Sequence, residues 1–231
     1  MKFWNWITNE TGSERTLYLD GVIAEESWWE DEVTPKVFKD ELCSGSGDVT
    51  VWINSPGGCV FAAAQIYNML KEYPGKITVK IDSLAASAAS VISMAGYEVC
   101  MSPVGMLMIH NPATFVWGDS EEMRKAKDML DEVKQSIINA YETKTKMSRI
   151  KLAHMMNDET WMNAKKALEL GFIDKILFAN ANEEPEDNSQ GFVFSRMAVT
   201  NSLVNRFSKP KPTIPTGTPI ESLDKRLSLL S

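Results

Sequence analysis

A chain of 231 residues with 44% apolar and 24% charged side chains can bury one core of moderate size and still carry a tail. Its net charge of −7 and pI near 5.0 exclude the basic face of a general nucleic-acid binder, and no apolar run is long enough to span a bilayer. Cys43, Cys59 and Cys100 form no C-x-x-C pair, and His110 and His154 are the only histidines, so buried free thiols are expected, with no metal and no cofactor. The first ten residues lack the apolar region and cleavage site of a signal peptide, so a cytoplasmic protein with no membrane partner is expected.

In chain order, Arg15-Thr-Leu-Tyr-Leu-Asp-Gly21 alternates and predicts a first strand. Thr34 is placed to cap a short helix with Pro35 at its first position and Val37, Phe38 and Leu42 on its apolar side. Asp48–Asn54 reads as a strand. Cys59–Tyr73 then reads as a helix with Phe61, Ala64, Ile66, Leu70 and Tyr73 available for packing, ended by Gly75. The alternating strand Lys76–Ile81 runs into Asp82–Gly96, an Ala/Ser block predicted to be helical. Side chains this small bury little apolar surface, so core-building does not explain them.

Tyr97–Met101 and Met106–Ile109 predict two more strands. From Asp119 to Lys146, Met123, Ala126, Met129, Leu130, Val133, Ile137, Ile138 and Tyr141 recur at helical spacing. That helix is longer than its sheet requires, and its spare length can pack on another subunit. Ser148 starts a shorter helix, Asn163–Leu170 forms another closed by Gly171, and Phe172–Phe178 is a last strand. The alternation predicts an α/β fold with a largely parallel sheet and right-handed crossovers. Residues 1–179 form this domain; residues 180–231, acidic and then proline-rich, are expected to be a mostly disordered tail.

Three segments carry chemistry: Asn54-Ser-Pro-Gly-Gly58, the Ala/Ser block around Ser87, and Met108-Ile-His110-Asn-Pro112. Each falls at the C-terminal end of a predicted parallel strand, where open α/β sheets gather their sites. Acyl transfer through a serine needs a nucleophile, a base and donors for the oxyanion. Taken singly, Ser83, Ser87 and Ser90, spaced four and three apart, read more readily as one small-residue packing face.

Together the segments resemble the ClpP family of self-compartmentalising serine peptidases. The family's Y-I-N-S-P-G-G is matched by Trp52–Gly58, its A-A-S by Ala85-Ala86-Ser87, its M-I-H-Q-P by Met108–Pro112 and its S-A-x-E-A-x-x-x-G-L-I-D by Asn163–Asp174. The resemblance covers about residues 15–178 and implies a spiral of β-β-α units with a protruding oligomerisation helix. It implies Ser87 as nucleophile, His110 as general base, and the N–H groups of Gly58 and Ala88 as oxyanion hole. A gapless count places Glu159 as the third triad member, with Asp158 beside it as the alternative. It further implies a homo-oligomeric ring or double ring acting on polypeptide substrates.

Ala88-Ala89 replaces the family's usual Met-Gly, and aromatic Phe3, Trp4 and Trp6 precede the first strand. These departures and the tail look more like phage-encoded head-maturation proteases, with capsid, portal or scaffold substrates, than the housekeeping subunit that docks a Clp-type ATPase. Rival readings are a crotonase-type enzyme of the same fold, a serine–lysine peptidase using Lys125 or Lys146, and a non-catalytic capsid assembly factor.

Overall fold

A computed structural model describes residues 2–8, 15–24 and 35–179. The expected cap at Thr34 and the expected tail over 180–231 lie outside the described residues. The strands are β1 (Trp4–Thr8), β2 (Arg15–Asp20), β3 (Val49–Ser55), β4 (Ile77–Ala86), β5 (Glu98–Met101), β6 (Met106–Ile109), β7 (Thr160–Asn163) and β8 (Lys175–Ile176). The helices are α1 (Pro35–Cys43), α2 (Val60–Glu72), α3 (Ala88–Ser93), α4 (Ser120–Thr145), α5 (Arg149–Asn157) and α6 (Ala164–Glu169).

The sheet runs β1-β2-β3-β4-β5-β8, and β6 branches off β4 to pair with β7. Pairing is parallel except for β1 with β2 and β6 with β7. Alternation along β2, β3 and β4 stacks two fully buried rows across the sheet. One is Leu17, Val51, Val79 and Val99; the other is Leu19, Ile53, Ile81 and Met101. Helix α2 covers that face with Ala62, Ala63, Ile66 and Leu70. On the opposite face Tyr18 stacks on Trp52 at 6.4 Å, and the Lys80 ammonium lies over the Trp52 ring. Because only one face is fully packed, these parallel strands alternate instead of reading as unbroken apolar runs.

Several expectations change. Strand β1 was not predicted, and neither was β7. Strand β4 continues through Asp82–Ala86, so Ser83 lies in a strand and the helical part of the Ala/Ser block is only α3. The three serines therefore do not share one helix face. Phe61 is exposed, and Ala62 and Ala63 take the buried positions of α2 in its place. That helix ends at Glu72 with Tyr73 as its C-cap, close to the expected end, but the stop comes from Pro74 and not Gly75, because the residue before a proline is pushed to extended backbone (φ −63°, ψ 130°). Gly75 serves a close approach: a Cβ there would lie 2.2 Å from Gly47 O. The last strand shrinks to Lys175–Ile176, with Phe172 and Ile173 buried ahead of it. Cys100 is buried as expected, but Cys43 is exposed.

Helix α4 runs as predicted, with the Asp119 carboxylate capping Glu121 and Glu122 N–H and Lys146 in the left-handed C-cap. Of its eight apolar positions only Ile137, Ile138 and Tyr141 are buried; Met123 and Met129 are exposed. Its outer half is held by its own ion pairs, Arg124 with Glu121 and Asp128, Lys125 with Glu122, and Lys127 with Asp131. Among the described residues no helix is long and apolar enough to cross a membrane.

Candidate active site

Ser87 stands where β4 ends and α3 begins, with φ 54° and ψ −124°, a conformation a residue with a Cβ rarely takes. A sharp strand-to-helix turn of this kind lifts a serine hydroxyl out of the sheet. The strained peptide is held at both ends. Ser87 N donates to Met108 O at 3.0 Å, and Ser87 O accepts from Ser90 N at 3.0 Å and from Ser90 Oγ at 2.5 Å. Ala86, Ala88 and Ala89 are buried around it.

Strand β6 brings His110 alongside. It pairs with the end of β4, Ala86 facing Met108, so the residue after the strand falls next to the serine. His110 Nε2 lies 2.7 Å from Ser87 Oγ. Both groups are half-buried, open to a substrate yet partly shielded from water.

The turn Pro56-Gly-Gly58 packs against the serine turn. A Cβ on Gly57 (φ 95°) would lie 2.7 Å from Ala86 O, 2.8 Å from Ser87 Cβ and 2.9 Å from Ala88 N. On its other side the loop is clamped by Ile23, whose N–H donates to Gly57 O and whose carbonyl accepts from Cys59 N. In a trans peptide the C=O and N–H point in opposite directions, so with Gly57 O turned to Ile23 the Gly58 N–H faces away from it. Gly58 and Ala88 thus come from two touching turns beside Ser87.

Glu159 (φ 47°) sits between α5 and β7. Ile109 pairs with Thr160 in the antiparallel ladder, so one further step sets Glu159 opposite His110. Its Oε1 accepts from Trp161 Nε1 at 3.2 Å. Asp158 is exposed at the C-cap of α5. Ser83 is turned elsewhere, donating to Asn54 Oδ1, and Asn54 Nδ2 donates to Asp20. Lys125 pairs with Glu122 and Lys146 donates to Thr143 O, so neither lysine is engaged at Ser87.

Two residues beneath the site were not singled out for it by the sequence. Ser90 and Tyr141, both fully buried, bring their hydroxyls within 2.7 Å. Burial drives the Tyr141 phenol well above its ordinary pKa, with the Ser90 hydrogen bond opposing, so it stays a neutral donor. Tyr141 was visible only as one apolar position among eight on a long helix.

Comparison with known proteins bears on the fold and the family. The family model for Clp protease matches residues 2–180. The ATP-dependent Clp protease proteolytic subunit 1 of Chlamydia muridarum is 30% identical over 170 residues, 71% of this chain and 87% of that protein. The corresponding subunit of Carsonella ruddii is 29% identical over 169 residues, 71% and 84% of the two chains. A solved ClpP1 mutant from Listeria monocytogenes shares the fold at TM-score 0.61, covering 70% of this chain and 90% of that one with 21% identity. With the family model reaching across nearly every described residue, the chain belongs to the Clp protease family, which is a family of serine endopeptidases.

Proposed function

We propose that the chain hydrolyses peptide bonds with Ser87 as nucleophile, His110 as general base and the N–H groups of Gly58 and Ala88 as oxyanion hole. The observation that carries this is the 2.7 Å approach of His110 Nε2 to Ser87 Oγ on a strained strand-to-helix turn. His110 takes the Ser87 proton as Oγ attacks the scissile carbonyl, then returns it to the leaving amine. Water, deprotonated by the same imidazole, releases the acyl group and restores the serine. Glu159 is the third member, supported by its register opposite His110. Trp161 Nε1 donates to Glu159 Oε1, and we assign the second oxygen the task of orienting the imidazole.

The test is labelling by a fluorophosphonate together with peptide hydrolysis. Ser87→Ala should lower turnover by about 10⁴–10⁶, His110→Ala equally, and the pair together scarcely more, because triad members act as a unit. Glu159→Gln should cost more activity than Asp158→Asn; the opposite order moves the role to Asp158. Label recovered on Ser83 or Ser90 in place of Ser87 would overturn the assignment.

The finer reading is an assembled ring that matures phage heads by cleaving capsid, portal or scaffold precursors. Support comes from Ala88-Ala89 in the nucleophile segment and from the aromatic N-terminal residues. The names of the relatives favour the second reading, a proteolytic subunit served by a Clp-type ATPase. Incubation with capsid and portal precursors, with and without such an ATPase, separates them. Cleavage without ATP supports the first reading, and cleavage that needs the ATPase supports the second.

A further inference from the structure

We propose that Tyr141 and Ser90 are positioning residues for the nucleophile, a directed hydroxyl relay that holds the Ser87 peptide in its strained conformation. This deepens the proposed function and rests on Ser87 being the nucleophile.

The direction of the relay follows from proton counting. Ser90 Oγ approaches Ser87 O at 2.5 Å, and a carbonyl only accepts, so the single Ser90 proton goes there. The 2.7 Å contact between Ser90 Oγ and Tyr141 Oη must then run from the phenol to the serine. Tyr141 O–H donates to Ser90 Oγ, and Ser90 O–H donates to Ser87 O. Each donation polarises the next hydroxyl and strengthens its bond, both groups being fully buried. Ser90 N–H binds the same carbonyl, so two donors converge on the one oxygen whose position sets ψ of Ser87.

The relay joins elements far apart in the chain. Tyr141 lies in the buried end of α4, its ring packed edge-on against Phe172 at 5.7 Å. Ser90 lies in α3, a turn beyond the nucleophile. A helix of six residues has little rigidity of its own, and the phenol ties its start to a helix of 26. Rotation of the Ser87 peptide that moved Oγ by about 1 Å would spoil its approach to His110, and losses of that kind reach about 10²-fold.

The test uses the full chain, its fluorophosphonate labelling rate, steady-state peptide hydrolysis and thermal unfolding. Tyr141→Phe keeps the ring and its Phe172 contact and removes only the relay's first donor. Its labelling rate and kcat should fall about tenfold with KM unchanged. Ser90→Ala removes the second donor and orphans the buried Tyr141 hydroxyl, so it should lose both rate and melting temperature. In the double variant the orphan is gone, so the melting temperature should recover while the rate stays low. A purely structural role predicts that rate recovers with stability, and that outcome, or a wild-type rate in Tyr141→Phe, overturns the relay. Failure of the unaltered protein to label at Ser87 would instead overturn the nucleophile itself.

Discussion

At Gly57 one methyl group separates a working turn from a blocked one. A Cβ there would collide with the backbone of the serine turn, inside 3 Å of three atoms, from a φ that already disfavours any side chain. Gly57→Ala should therefore cut kcat/KM by about 10²-fold or more, since the serine turn must shift. Gly21→Ala is the matched control: φ is 81°, but nothing lies within 4 Å of the added carbon. It should lose stability through backbone strain and keep its catalytic rate. Equal activity in the two variants, measured on the folded fraction, would show that the close approach is not needed. The motif was legible as a glycine turn near a site. That the first glycine meets the nucleophile's turn was not, because the contact joins segments thirty residues apart and leaves no local pattern.

Among the elements, those with strong periodicity or marked ends were readable. Helix α4 announces itself through Asp119, which caps it, and through its 3.6-residue apolar spacing. Strand β7 is four residues long and its identity comes from pairing with β6, so no window of sequence reveals it. Strand β1 carries Trp4, Trp6 and Ile7, a usable signal that its position before the first clear alternation concealed. The Ala/Ser block misled for a physical reason: alanine favours helices, but pairing of Leu84–Ala86 with Met106–Met108 outweighs propensity. Arg15 shows how such elements are tied together. Its guanidinium donates to Glu41 O and Leu42 O at the end of α1 and to Tyr73 Oη, and it lies over the Trp6 ring. Arg15→Ala should lower unfolding free energy by about 2–3 kcal/mol, and Arg15→Lys should recover less than half, lacking the fork that reaches three acceptors. Urea unfolding with unchanged m-value is the check. A Lys variant as stable as the parent would mean that charge alone matters.

For the whole molecule, the α/β class, the parallel core and the position of the site were legible because parallel strands deliver their loops to one end. The unpaired surface tells of what lies outside a single chain. Phe115 and Trp117 are 90% and 92% exposed just after His110, and Met123 and Met129 face solvent on the outer half of α4. Exposed aromatic and methionine side chains of this kind suit a contact between subunits. The protein should therefore sediment as an assembly several times its 25.8 kDa chain mass at micromolar concentration. Trp117→Asp should shift it toward smaller species, and a parent that sediments only as the single chain would defeat the expectation.

The antiparallel pairing of β6 with β7 also orders events in time. Ser87 and His110 leave the ribosome early, but Glu159 and its strand follow only after α4 and α5 have been made. At about 5–20 residues per second, that interval is roughly 3–10 s. Until it ends, β6 has an open edge where β7 will pair. On the proposed triad, the serine would stay unarmed through this interval, while the chain's own backbone is extended and cleavable. A nascent chain arrested with residues through Lys146 exposed should resist fluorophosphonate, and one exposed through Ala179 should react. Labelling of the shorter chain would mean that β6 alone suffices to arm the serine.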